Sequence, residues 1–322
     1  MINQIHFGKR IALSRRKMNL SQAELSERLG VTPQAVSKWE CGTALPTIEI
    51  LLELSYLYGT NINELLEDRN LILDLTDKDT SKNGISYFTS EENNDDIWSK
   101  NIVKNNWVLH NWTNSISRND FLDNVGKTIA EHGGIILEIG AGPGGGFMPY
   151  ILKSDSDATV IITDISSTVV KEWKNLLDKK LDSPNIYYAT IDFCNMPFKD
   201  NSVDVISDAG GIGNAIGDKA KALKEVYRVL KPGGLFVTST GFVTKETFST
   251  LPKKVQEVLI QKRPDIFEDL YEETVLAGFT EINSIIGNCW YTDDDDSTIA
   301  ELARSLGINL KFTSYIRYCT KR

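Results

Sequence analysis

Glycine dominates the run Gly140-Ala141-Gly142-Pro143-Gly144-Gly145-Gly146, and the apolar stretch Ile135-Ile136-Leu137-Glu138-Ile139 leads straight into it. Glycines let a backbone turn sharply and let a ligand approach the main chain closely, so the chemistry on offer is the cradling of a nucleotide-like cofactor. Gly140, Gly142 and Gly145 also satisfy the dinucleotide pattern GxGxxG, so the loop alone does not choose its ligand. Asp164 ends the next apolar run, 24 residues beyond Gly140. A carboxylate there accepts both hydroxyl hydrogens of a ribose, a device shared by NAD sites and S-adenosylmethionine sites. Glu138, two residues before the first glycine, suits a cationic amino-acid group better than a pyrophosphate. No Tyr-x-x-x-Lys or other dehydrogenase constellation follows.

A second constellation lies near the start, from Ser21 to Glu40. Ser21 with Glu24 three residues on forms a capping box, and Gly30 ends the helix it opens. Thr32 is a good N-cap and Pro33 a good first helical residue, so another helix begins at once. Two helices with only Gly30-Val31 between them must cross steeply. Ser26 is small where their backbones meet, and Leu25, Leu29, Val31, Val36 and Trp39 supply apolar contacts. Charge follows the same division. Residues 1–38 hold seven Lys or Arg against Glu24 and Glu27, a net of +5, and residues 39–69 sum to −5. Residues 70–322 hold 27 basic and 36 acidic side chains, which equals the whole-chain net of −9. A basic end on an acidic body indicates a chain with two jobs.

The elements that position these residues change along the chain. Residues 1–69 read as short helices, with Asn19 offering the left-handed turn that ends the first and Asn61, with Glu64 at the box position, opening the last. Residues 70–96 are polar and turn-rich and read as a linker, with Leu71-Ile72-Leu73 and Tyr87-Phe88 able to dock on a neighbouring domain. Beyond residue 97, strands are expected at 135–139, 159–163, 185–191, 203–207, 235–239, 281–286 and 310–318, with helices notably at 168–180 and 219–230. Such alternation predicts an α/β domain with a parallel sheet covered on both faces.

Leu137-Glu138-Ile139-Gly140-Ala141-Gly142-Pro143-Gly144 resembles the first motif of class I S-adenosylmethionine-dependent methyltransferases. Asp164, Asp192-Phe193, residues 203–208 and Glu225-Val226-Tyr227-Arg228-Val229-Leu230-Lys231-Pro232-Gly233-Gly234 match later motifs in order. The resemblance covers residues 97–322 and implies a seven-stranded Rossmann-like sheet whose last strand is antiparallel. It places S-adenosyl-L-methionine across the carboxyl ends of the first four strands. Glu138, Gly140, Ala141 and Gly142 then hold its methionine moiety and backbone, and Asp164 its ribose. Ile165 stacks on adenine, Asp192 accepts from the adenine amino group beside Phe193, and Asp208 and Ala209 line the sulfonium end. The stretch Ser21–Glu40 closely resembles the lambda-repressor/Cro (XRE family) type of helix-turn-helix, over residues 6–67. That likeness implies a small all-α domain whose second paired helix enters the major groove of double-stranded DNA. By it, Pro33, Gln34 and Lys38 face base edges while Gln22, Thr32 and Ser37 reach phosphates, in a homodimer on a pseudo-palindromic operator.

Ser207-Asp208-Ala209-Gly210-Gly211 stands where amino-methylating DNA and RNA enzymes carry Asn/Asp-Pro-Pro-Tyr. Cys194 lies on a different segment from the Pro-Cys nucleophile of cytosine-C5 enzymes. The resemblance therefore points to a small-molecule methyl acceptor. Trp98, Trp107, His110 and Trp112 precede the first strand, where this family often builds a lid, and His110 is the candidate general base. Asp293-Asp294-Asp295-Asp296 reads as a solvated loop or a cation site. Two functions are open: an active small-molecule methyltransferase with a DNA-binding regulatory front domain, or a transcription regulator whose body senses S-adenosylmethionine without turnover. The 322 residues are 41% hydrophobic, with no uninterrupted apolar run near the roughly 18 that a membrane helix needs. The four dispersed cysteines form no ligand pair, and the start lacks a basic and apolar leader. A cytoplasmic protein with no membrane partner and no metal site is expected.

Overall fold

The computed structural model describes residues 4–66, 71–78, 80–89, 106–116, 120–154, 159–181, 185–214, 218–294 and 298–322. Trp98, Asp295 and Asp296 lie outside those residues, as do both boundaries of the expected linker. The chain forms two compact units, residues 1–78 with 177–186 and residues 79–176 with 187–322.

In the front unit, helices run Gln4–Lys17 (α1), Gln22–Arg28 (α2), Pro33–Glu40 (α3), Ile48–Tyr58 (α4), Ile62–Leu66 (α5) and Leu71–Thr76 (α6). The capping box forms as the sequence dictates: Ser21 Oγ accepts from Glu24 N at 3.2 Å, and the Glu24 carboxylate accepts from Ser21 N at 2.7 Å. Asn19 and Gly30 take the left-handed turns, at φ 55° and 62°. Thr32 Oγ1 accepts from Ala35 N at 3.2 Å and so starts α3. Phe7, Ile11, Leu25, Val36 and Leu54 are wholly buried in one core, with Trp39 packed among them. A Cβ on Gly8 would lie 2.3 Å from Trp39 O, so α1 and α3 meet backbone to backbone.

Among the described residues the body is built on one sheet of nine strands: β1 (Ser81–Lys82), β2 (Ile85–Tyr87), β3 (Ile135–Glu138), β4 (Thr159–Asp164), β5 (Ile186–Thr190), β6 (Val203–Asp208), β7 (Leu230–Phe242), β8 (Glu281–Tyr291) and β9 (Lys311–Thr320). Their spatial order is β1-β2-β5-β4-β3-β6-β7-β9-β8. β3 runs parallel to β4 and β6, β6 parallel to β7, and β9 antiparallel to both β7 and β8. The count is nine where seven strands are expected. The additional pair is a hairpin inside the stretch read as a linker: Ser86 and Tyr87 pair in parallel with Ala189 and Thr190. Asn83 and Gly84, at φ 54° and 75°, make its turn. Strands of two and three residues are too short to show periodicity.

Candidate cofactor site and DNA-binding face

The site is assembled at the carboxyl ends of β3, β4, β5 and β6. Glu138 closes β3 with no exposed surface. Its Oε1 accepts from Phe147 N at 3.2 Å and its Oε2 from Ser207 Oγ at 2.5 Å. Burial pushes its carboxyl well above the ordinary carboxylate range, the Ser207 hydroxyl and Phe147 amide pull it back, and Asp208 pushes it up further. The glycine loop closes over this group. Gly146 has φ 57°, and a Cβ there would fall 1.8 Å from Glu138 Oε1.

Asp164 ends β4, nearly buried, and its carboxylate fixes the loop: Oδ2 accepts from Gly142 N and Oδ1 from Ser166 N, each at 2.8 Å. Ile165 beside it is 47% exposed, free to cover a ligand face. Past β5, Asp192 is exposed and its Oδ1 accepts from Cys194 N at 2.8 Å. The half-buried Phe193 ring stands 3.7 Å from where Gly140 would carry a Cβ. Asp208 ends β6 fully buried. Its Oδ1 accepts from Ile212 N at 3.1 Å and its Oδ2 from Thr238 Oγ1 at 2.9 Å. Burial, partly offset by those donors, raises its pKa to about 6. Ala209 next to it is exposed, and its Cβ lies 3.6 Å from the Cβ position of Gly146.

The residues named for the cofactor thus gather at one place. Glu138 offers a buried carboxyl with no cationic partner among the described residues, and five of the seven loop residues are glycine, which fits a cationic amino-acid group joined to a nucleoside. His110 stands apart. It is exposed on the helix Trp107–Ile116, and its hydrogen-bond partner among the described residues is Asn114 Nδ2 at 3.0 Å. Ser207, Asn111 and Trp173 contact the site without having been given a cofactor role from sequence. Ser207 adjoins Asp208 and could have been inferred from alternation along β6; nothing in one dimension marks the other two.

On the front unit, Thr32, Pro33, Gln34 and Lys38 are exposed and Ser37 half-buried, while Val36 and Trp39 point inward. Gln22 is engaged within the domain, where its Nε2 donates to Glu40 Oε2 at 2.8 Å. The same Glu40 carboxylate takes Arg15 Nε at 2.6 Å and Nη2 at 2.9 Å. Among the described residues no three His, Cys, Asp or Glu side chains gather as a metal site. No described helix is long and apolar enough to cross a membrane.

Residues 137–238 match the family model of a methyltransferase domain, and residues 11–65 match that of a helix-turn-helix. The chain carries a methyltransferase domain behind a helix-turn-helix domain. An uncharacterized chloroplastic methyltransferase of Arabidopsis thaliana is 30% identical over 164 residues, 47% of this chain and 45% of that protein. The ubiquinone/menaquinone biosynthesis C-methyltransferase UbiE of Idiomarina loihiensis is 34% identical over 99 residues, 31% of this chain and 39% of the relative. The matches span less than half the length of either relative. Among solved structures, phosphoethanolamine N-methyltransferase 2 of Haemonchus contortus, in complex with S-adenosyl-L-methionine, gives a TM-score of 0.45 at 18% identity. That match covers 62% of this chain and 52% of the other. The methyltransferase domain contains the whole glycine loop, Asp164, Asp192 and Asp208.

Proposed function

We propose that the protein transfers a methyl group from S-adenosylmethionine to a small molecule and that its front domain binds an operator in double-stranded DNA as a homodimer. The observation carrying the first part is the fully buried Glu138 carboxylate with the glycine loop folded directly over it. S-adenosylmethionine is the cofactor of this domain, and when bound it supplies an electrophilic methyl group on a sulfonium. Glu138 then meets the α-amino group, Asp164 and Asp192 the ribose and adenine, and Ile165 and Phe193 flank the ring. Methyl transfer from a sulfonium is an in-line displacement, so orientation and exclusion of water contribute much of the rate. For an acceptor that must lose a proton, His110 is the available base, though it must come closer than its exposed position. Ser207-Asp208-Ala209-Gly210-Gly211 supports a small-molecule acceptor over a nucleobase.

The test is calorimetric binding of S-adenosylmethionine and S-adenosylhomocysteine to the wild type and to Asp164→Ala. Losing a partner of two hydroxyls costs on the order of 1–3 kcal/mol, so a loss of about ten- to a hundredfold is expected. Equal affinity, or binding of NAD in place of either ligand, removes the assignment. A second reading, a regulator that senses the cofactor without turnover, is favoured by the wholly internal bonding of Asp208 at the expected sulfonium end. Label transfer to any member of a broad metabolite panel decides for the enzyme; tight binding without product decides for the sensor.

A further inference from the structure

Two carbonyls of the glycine loop are held by side chains from outside it. Trp173, on the helix Ser167–Lys180, donates Nε1–H to Gly142 O at 2.8 Å. Asn111, on the helix Trp107–Ile116, donates Nδ2–H to Pro143 O at 3.0 Å. The Trp173 ring is wholly buried, and a Cβ on Gly145 would lie 2.7 Å from it, so the indole is also the surface on which the loop rests. Trp112 meets that ring edge-on at 6.4 Å and 70°, which joins the two helices behind the loop.

A loop made largely of glycine has the most backbone freedom to lose on ordering. Whatever fixes it before a ligand arrives removes that loss from the binding step. Two donors on successive carbonyls do this, and both are neutral, so they leave the local charge balance to Glu138 and Asp164. We propose that Asn111 and Trp173 are positioning residues, a clamp that pre-sets the glycine loop, so that the helix Trp107–Ile116 governs cofactor affinity through the loop. This inference rests on the cofactor reading above. It also gives the segment ahead of β3 a role that needs no catalytic group: Asn111 bonds the loop and Trp112 packs against Trp173, while His110 is exposed.

Full-length wild type, Trp173→Phe and Asn111→Asp are titrated with S-adenosylhomocysteine by calorimetry, and amide exchange is followed with and without it. Trp173→Phe keeps an aromatic side chain but removes the N–H and part of the indole's volume. Asn111→Asp keeps the shape and replaces the donor by an acceptor. Each is expected to weaken binding by about 3- to 10-fold, the value of one net hydrogen bond. Exchange over residues 140–146 of the ligand-free protein is expected to quicken while β3, β4 and β6 keep their protection, and saturating ligand is expected to restore the loop. Wild-type affinity in both variants, or faster exchange across the whole sheet, overturns the clamp. If Trp173→Phe fails to fold, the half-buried Asn111 carries the test alone. A wild type that binds no S-adenosylhomocysteine removes the cofactor reading itself and the clamp with it.

Discussion

Two carboxyl groups with no exposed surface, Glu138 and Asp208, end adjacent strands, and each is raised by burial. A cationic ligand group favours the ionised form of a neighbouring carboxyl. Binding of S-adenosylhomocysteine should therefore release a proton from Glu138, and affinity should rise with pH toward that group's ligand-free value. Calorimetry in buffers of different ionisation heat reads the proton directly; Glu138→Gln should bind more weakly and release none. Asp208 acts on stability instead. Its folded pKa lies above its unfolded value, so its contribution is full below about 4 and is lost as pH rises through about 6. Asp208→Asn keeps the shape and cannot ionise. The variant's unfolding free energy should lose a pH dependence on the order of 2–3 kcal/mol across that window, measured by urea titration from about pH 4 to pH 7. Glu138 was legible because it precedes the glycines at a fixed offset. Its burial against Ser207 was not, since the two lie 69 residues apart and meet only through the pairing of β3 with β6.

At the scale of elements, the glycine loop and the two front helices were readable because each depends on local chemistry: left-handed turns, an N-cap and a capping box. Gly146 has the least latitude, since a methyl group there collides with Glu138 Oε1 and its φ of 57° disfavours any side chain. Gly146→Ala should abolish S-adenosylhomocysteine binding or leave the domain unfolded, whereas Gly144→Ala, where a Cβ meets open space, should retain most affinity. Circular dichroism with the same titration separates these outcomes. The hairpin β1–β2 shows how far local reading extends. Asn83-Gly84 is a strong hairpin turn, yet its strands gain their place from the edge of β5, a contact over a hundred residues along the chain. Long-range pairing of this kind leaves no periodic trace. The same holds for Trp173, an aromatic on an amphipathic helix until the fold shows its N–H aimed at Gly142 O.

For the whole molecule, the charge boundary falls inside the helix-turn-helix domain: residues 1–38 carry a net of +5 and residues 39–69 a net of −5, ahead of a body that carries −9. Thr32, which caps α3, and Pro33, Gln34 and Lys38 on it are all exposed. Full-length protein should protect a pseudo-palindrome with half-sites about 10 base pairs, or a multiple of that turn, apart. Its affinity should fall steeply with salt as phosphate-bound counterions are released. Gln34→Ala should relax one base position by about 1–3 kcal/mol in a footprint across the DNA upstream of the protein's own gene, and protection of no site overturns the DNA-binding proposal. The Arg15–Glu40 pair of the same domain is almost buried, with side-chain exposures of 10% and 6%. Glu40→Ala removes the guanidinium's counter-charge, leaving it the Leu20 carbonyl, and releases Gln22, so it should cost about 3–5 kcal/mol and unfold the front domain first, seen as a separate low-temperature transition.

The order β7-β9-β8 has a consequence for how the chain is made. β8 emerges from synthesis well before its one neighbour and waits, with Ile286 69% and Tyr291 43% exposed even in the finished fold. Until residues 311–320 arrive, β7 and β8 each offer an open margin of backbone, the template on which foreign strands add. A chain halted at residue 310 should therefore be lost to inclusion bodies rather than accumulate as a stable fragment. Slow translation over the codons of β9 would lengthen that exposure.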